Sequence, residues 1–293
     1  MKFLCFGSLN LDYVYRVHAI AREGETVIAD SRARHMGGKG LNQSVALARA
    51  GAEVYHAGQI GSEGEALTDW LRENGVDTRF VRREDCATGH AIIQVDDNGR
   101  NCIVIFGGAN LFVTPEWADE VLSHFSGDDV LVLQNEVNCL AELMTKAKSR
   151  GIRVVLNPSP ISEALRSAPI GLADVLMLNE TEGCALSGTS DPGEMLDRLE
   201  TTYPDAHIVL TLGEAGAMYA HGGWRDRVSA FPVDPVDTTA AGDTFTGYFL
   251  ASWYGGAEAH DALLWASKAS AIAVCRPGAS QSIPTRNEVA QFG

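Results

Sequence analysis

The chain has 293 residues, 45% of them hydrophobic and 21% charged, the balance of a globular protein with a sizeable core and not of a disordered or fibrous one. Its 38 acidic against 23 basic side chains give a formal net charge of -15, a field that argues against nucleic acid and anionic membrane surfaces as general partners. The six cysteines, at positions 5, 86, 102, 139, 184 and 275, form no CxxC pair and no zinc-site spacing, which predicts buried, reduced thiols in a cytoplasmic protein.

The chain opens on Met1 to Gly7, whose apolar stretch is too short for a secretion signal or a membrane span and reads as a first buried strand, Lys2 to Phe6. No later stretch approaches about twenty uninterrupted apolar residues, so no spanning helix is expected. Further short aliphatic runs follow at Glu53 to Gly58, Val130 to Gln134, Arg153 to Asn157, Val175 to Leu178 and His207 to Leu212. Between them lie amphipathic stretches of helical length, Asn42 to Ala50, Glu63 to Asn74, Asn138 to Arg150, Glu180 to Ser187 and Pro192 to Thr202. Alternation of this kind predicts strand-helix-strand units, hence a doubly wound α/β fold with a mostly parallel sheet flanked by helices, in a single domain over 1–293.

Two regions break the alternation, 11–34 and 89–106. The second carries Asp96-Asp97-Asn98-Gly99 between two apolar runs, a hairpin signal. Both are assigned to a small second sheet, a β lid over the main one that also offers a surface for dimerisation.

Two glycine-rich segments open helices. Met36 to Gln43 contains Gly37-Gly38-Lys39-Gly40, where free N–H groups favour hydroxyl or anion contacts. It lacks Walker A spacing, and alone it reads equally well as helix-start punctuation. Val236 to Gly247 sets small residues before an apolar helix, so backbone N–H groups and the helix dipole can stabilise charge on a transferring phosphoryl group. Asp243 at that mouth either caps the helix or serves as a base.

Together these segments resemble those of the ribokinase-like, PfkB-type carbohydrate kinases. The resemblance runs nearly end to end, through Gly7 to Asp12, Met36 to Gln43, Leu156-Asn157-Pro158, Asn179 to Glu182, Thr211 to Gly213, Asp237 to Phe245 and Arg276 to Ala279. It implies an enzyme that transfers the ATP γ-phosphoryl to the 5-hydroxyl of D-ribose, with another pentose, a ketose or a nucleoside as the alternative acceptor, and a non-catalytic sugar-binding protein as a rival of another class. By resemblance Asp243 is the catalytic base, and Ala240, Ala241 and Gly242 supply the backbone anion hole. Asn10, Asp12, Gly38, Lys39, Asn42 and Glu136 look like sugar ligands, since amide and carboxylate oxygens can hold a vicinal diol.

The family's Asn-x-x-Glu pattern falls on Asn179 and Glu182 and implies Mg²⁺ held by Glu182 largely through water. Thr211, Gly213, Gly216 and Ser267 match the nucleotide wall, although relatives often place His or Asn where Ser267 stands. Asp237, Thr239, Ala273, Arg276, Gly278 and Ser282 match a monovalent-cation site, implying K⁺. Many relatives carry glycine at the position of Ala240, whose methyl would be strained if the backbone there is left-handed. The segment Phe106 to Asn110 begins unlike its counterparts, and with Tyr13 and Phe112 it offers aromatic surface for a nucleobase. A cytoplasmic homodimer joined through the β lid completes the expectation.

Overall fold

Buried on both faces, the short apolar runs become strands of a parallel sheet between two helix layers, as that environment requires. The computed structural model describes residues 1–292; Gly293, the last residue of the expected domain, lies outside the described residues. The strands are β1 (Phe3–Phe6), β2 (Asn10–Val17), β3 (Ala29–Gly37), β4 (Val54–Ile60), β5 (Asp77–Arg83), β6 (Gly89–Val95), β7 (Asn101–Phe106), β8 (Val130–Gln134), β9 (Arg153–Asn157), β10 (Val175–Asn179), β11 (His207–Thr211), β12 (Ala217–His221) and β13 (Trp224–Val228). The helices are α1 (Lys39–Arg49), α2 (Glu65–Glu73), α3 (Pro115–Leu122), α4 (Leu140–Ser149), α5 (Glu180–Ser187), α6 (Pro192–Thr202), α7 (Ala241–Tyr254), α8 (Ala259–Val274) and α9 (Arg286–Gln291).

The main sheet has nine strands in the order β13-β12-β11-β10-β9-β8-β1-β4-β5. All pairs are parallel except β11 with β12 and β12 with β13. Side chains alternate across it. Phe3 and Cys5 of β1 join a core with Leu41 and Val45 of α1 and Phe245 and Phe249 of α7, while Leu4 and Phe6 join Trp117 of α3 and Leu143 of α4 on the other face. The antiparallel β12 and β13, along with β5, α3, α8 and α9, were not foreseen from sequence. Short half-exposed strands such as β13, with its burial mixed along Trp224–Val228, carry little apolar signal.

Strand order reverses at β1, whose neighbours are β4 on one side and β8 on the other. Such a reversal opens a crevice beyond the carboxyl ends of the strands, where open α/β sheets bind ligands. The four-stranded second sheet, β3-β2-β6-β7, is built from the two regions that broke the alternation. Its strand β3 runs on to Gly37, three residues past the expected end, and delivers the chain directly to α1. The β6–β7 hairpin turns at Asp96 to Gly99 as expected, with Asp96 accepting the N–H groups of Asn98 and Arg100.

The cysteines depart from expectation. All six are free thiols, but only Cys5 is buried, and Cys102, Cys184 and Cys275 are exposed. Cys102 lies beside an apolar run on β7, yet that whole strand faces outward, so hydrophobic neighbours in sequence did not mean burial.

Candidate functional site

The carboxyl ends of the parallel strands place polar residues along one line. After β1 come Gly7 and Ser8, after β8 come Asn135 and Glu136, and β9, β10 and β11 end on Asn157, Asn179 and Thr211. The amino ends of α1 and α7 meet this line from the side. Their packing is close because Gly247 has no side chain: a methyl there would sit 2.4 Å from Cβ of Ala46. That approach sets Asp243, in the first turn of α7, against the first turn of α1.

Asp243 is only 6% exposed. Its Oδ2 accepts Nδ2 of Asn42 at 2.9 Å and its Oδ1 accepts Nε2 of Gln43 at 2.9 Å. It opens on a cleft of about 200 Å³ lined also by Lys39, Asn157, Asn179, Glu182, Thr211, Thr238, Thr246 and residues Ala240 to Gly242. Helix geometry leaves first-turn N–H groups without an intrahelical acceptor. That of Ala241 reaches the Thr238 carbonyl at 3.2 Å, and Gly242 and Asp243, next in the same turn, line the cleft. A methyl added to Gly242 would meet no atom within 4 Å, which places that residue against open space.

The backbone of Ala240 is left-handed, with φ 60° and ψ 9°, the conformation in which its methyl is strained. Ala240→Gly is therefore expected to stabilise the protein by about 0.5–1 kcal/mol, the relief of about 1–2 kcal/mol of strain less the added chain entropy of glycine. A thermal melt reads it as a rise in Tm of a few degrees; an unchanged or lower Tm counts against strain at this residue.

The expected sugar ligands converge beside this cleft. Asn10 is held by Asn110, whose Nδ2 donates to its Oδ1 at 2.8 Å and whose Oδ1 accepts the Leu9 N–H. The Asp12 carboxylate lies over Gly37, where a methyl would fall 1.9 Å from its Oδ2. Gly38 caps α1 and Lys39 begins it. Glu136 accepts the Lys39 N–H at 2.9 Å and the Ser8 hydroxyl. Asn42 is buried, and its Oδ1 has no hydrogen-bond partner among the described residues. Burial, with the Glu136 carboxylate as second cause, pushes Asp12 up to about 7. Burial raises Glu136 as well, against the pull of Lys39, and the Asp243 charge raises Lys39.

Glu182 is 4% exposed and closes a capping box on α5: its Oε2 accepts the Asn179 N–H at 2.8 Å, its Oε1 accepts Asn179 Nδ2 at 3.0 Å, and its own N–H reaches Asn179 Oδ1 at 2.9 Å. Each carboxylate oxygen keeps a further acceptor position, which suits a divalent ion bound through its waters. Asp237 accepts the N–H groups of Thr239 and Gly278, both at 2.9 Å. Burial works to raise it, but the Thr239 hydroxyl and these two N–H groups hold it below the usual carboxylate range, so an anion ties together the two loops that carry the expected cation ligands. The Ala273 carbonyl already accepts the Arg276 N–H, and the Ser282 hydroxyl donates to Ala279. Gly213 and Gly216, both at positive φ, turn the chain from β11 into β12. They and the buried Ser267 on α8 do not line the cleft.

The pfkB family carbohydrate kinase model matches residues 1–286 of this sequence. The chain belongs to the pfkB family of carbohydrate kinases. These are phosphotransferases acting on a hydroxyl group, and this kinase is of the ribokinase type. It is 35% identical over 300 residues to a ribokinase of Bacillus subtilis, covering 100% of this chain and 99% of the relative. It is 30% identical over 303 residues to a deoxyribokinase of Salmonella typhi, covering 100% and 98%. Among solved structures, the Arabidopsis thaliana ribokinase complexed with ribose and ATP superposes with a TM-score of 0.86 at 26% identity, covering 99% of this chain and 98% of that one.

Several residues that hydrogen-bond around the candidate site were missed in sequence. Gln43 sits next to the expected ligand Asn42 in the glycine-rich stretch Met36 to Gln43, so its place near the start of α1 was a usable signal. Ser8 and Asn110 likewise lay in or beside singled-out segments. Gln134, at the end of a strand that reads as wholly apolar up to it, had only its strand-end position to mark it.

Proposed function

We propose that this kinase transfers the γ-phosphoryl group of ATP to the 5-hydroxyl of D-ribose, with Asp243 as the general base. The observation that carries the reading is Asp243 itself, buried at the mouth of α7, hydrogen-bonded by Asn42 and facing the same cleft as Gly242 and Glu182. Asn10, Asp12, Asn42 and Glu136 orient the sugar, with the unpartnered Oδ1 of Asn42 accepting one of its hydroxyls. Asp243 takes the proton of the attacking hydroxyl, and the N–H groups opening α7 hold the charge of the phosphoryl group in flight. Glu182 and Asn179 would hold Mg²⁺ through water, which supplies charge neutralisation on the phosphate oxygens. Thr211, with the Gly213 to Gly216 turn and Ser267, would bound the nucleotide. Asp237, Thr239, Ala273, Arg276, Gly278 and Ser282 would hold K⁺ beside the anion hole.

We read the second sheet as a lid on a single-domain kinase, and its edge strand β7 as the joint of a homodimer. Ile103, Val104, Ile105 and Phe106 on that strand are all exposed, an apolar surface that pairing with a second copy would cover. Six unpaired thiols suit a cytoplasmic setting.

ADP release from Mg-ATP over a panel of D-ribose, 2-deoxyribose, fructose, other pentoses and nucleosides tests the substrate. D-ribose with potassium is expected to give the highest kcat/KM, and equal rates in sodium-only buffer would remove the K⁺ assignment. The second reading, 2-deoxyribose as acceptor, is favoured by the deoxyribokinase relative and wins if that sugar is preferred.

The Asp12 carboxyl gives the sugar step a pH dependence. A folded value of about 7, against an ordinary 3.8, means that the stability this group lends the empty protein is present below the ordinary range and lost as pH rises through 7. Sugar hydroxyls donate to the ionised form, so the dependence of binding is opposite. KM for ribose is expected to rise as pH falls through 7 and to lose most of that slope in Asp12→Asn; the same slope in the variant assigns it to another group.

A further inference from the structure

The base is not held from the cleft side alone. Gln43 and Gln134 are both fully buried, and a primary amide taken out of water is costly unless its groups are paired. Here the pairing has one direction, and of the two amides' groups it leaves Oε1 of Gln134 without a partner among the described residues. Nε2 of Gln43 donates to Asp243 Oδ1 at 2.9 Å, and Oε1 of Gln43 accepts Nε2 of Gln134 at 2.7 Å. The same Gln134 nitrogen lies 3.5 Å from Sγ of Cys5, whose thiol donates to the Gly40 carbonyl at 3.3 Å. Burial pushes the Cys5 thiol up to about 11, so it stays a donor to that carbonyl, while its sulfur can only accept from Gln134. Were the Gln43 amide turned over, its oxygen would face the Asp243 carboxylate and its nitrogen would face that of Gln134, two repulsions in a dry interior.

We propose that Gln43 is a positioning residue for the phosphoryl-transfer reaction: it anchors Oδ1 of Asp243, is itself held in one orientation by Gln134, and so aims Oδ2, which accepts one bond from Asn42, with its remaining acceptor position toward the sugar hydroxyl. The proposal rests on the reading of Asp243 as the base. Gln43 does not line the cleft, so it acts through Asp243 and not on substrate. With the Asn42 contact alone the carboxylate can pivot about its last bond, and loss of alignment with the attacking oxygen lowers the rate of transfer more than the binding of sugar.

The test uses Gln43→Met, Gln134→Met and the double variant, near-equal in volume and lacking the donors. Steady-state kinetics with ribose and ATP and a thermal melt are measured on each. Gln43→Met is expected to lower kcat about ten- to a hundredfold with both KM values within about threefold of the parent. Gln134→Met is expected to lower kcat about three- to tenfold, and the double variant to be no slower than Gln43→Met, because the two act in series. A kcat for Gln43→Met within threefold of the parent overturns the proposal, as does a rise in KM in place of the fall in kcat, or multiplicative losses in the double variant. Should Gln43→Met fail to fold, Gln134→Met decides alone, and an unchanged kcat there overturns it. Asp243→Asn separates the two claims: turnover retained in that variant removes the base, whereas turnover lost there with Gln43→Met fully active removes only the anchoring.

Discussion

Asp243→Asn is expected to lower kcat about 10²–10⁴-fold, the range that a positioned proton acceptor supplies, while the sugar still binds within about tenfold of the parent affinity. The substitution keeps volume and shape but removes the negative charge that a proton acceptor needs. Its amide has an obligatory orientation, because Gln43 presents a donor to one side and is fixed by Gln134 behind it. The new side chain must set its oxygen toward Gln43 and its nitrogen toward Asn42. Asn42 can turn its own amide to suit, since its Oδ1 has no hydrogen-bond partner, so the fold survives and the loss is chemical. The measurement is kcat beside ribose affinity from calorimetry. Retained turnover would mean that the proton leaves by another route, through solvent or through the phosphate itself, and that Asp243 serves only as a sugar ligand and as the anchor of Asn42 and Gln43. Lost sugar binding with lost turnover would instead assign it to the substrate pocket.

The two halves of this site were unequally legible in sequence. Residues at strand ends, such as Asn179 and Thr211, follow from an alternation of apolar runs and turns, and the structure places them where the crevice opens at β1. The small second sheet was legible because Asp96 to Gly99 is a strong turn between apolar strands, though its pairing of β2 with β6 in parallel is a long-range fact that no local pattern contains. Helix α1 begins at Lys39 and not Asn42 because Gly38, at φ 93°, turns the chain into the helix earlier than the first periodic apolar residue suggests. Roles were harder. An aspartate at a helix mouth is the same letter whether it caps or catalyses, and only the packing of α7 on α1 through Gly247 sets Asp243 beside Asn42 and Gln43. The amide pair behind it joins residues 91 apart in sequence, and nothing short of the folded chain brings them together.

Glu182→Gln is expected to lower kcat about 10–100-fold at ordinary Mg²⁺, the cost of losing charge from an electrostatic clamp on a transferring phosphoryl group, and to raise the Mg²⁺ concentration needed for half-maximal rate. Glutamine is the informative replacement because a capping box accepts it in place of glutamate. The Asn179 N–H keeps an oxygen to bond, and the Glu182 backbone N–H still donates to Asn179 Oδ1. One contact, from Asn179 Nδ2 to Oε1, is lost, so the melting temperature is expected to fall by only a few degrees, as loss of about 1 kcal/mol gives in a chain of this size. A cap and an ion site therefore predict different results from one substitution. If Glu182 only closes the helix, the variant melts slightly lower and turns over at the parent rate at every Mg²⁺ concentration. If it also holds the ion's waters, the rate falls and part of it returns as Mg²⁺ is raised, because a weaker site is refilled by mass action. Replacing glutamate by alanine would remove both functions at once and leave that question unanswered, whereas the amide keeps the helix start and takes away the charge alone.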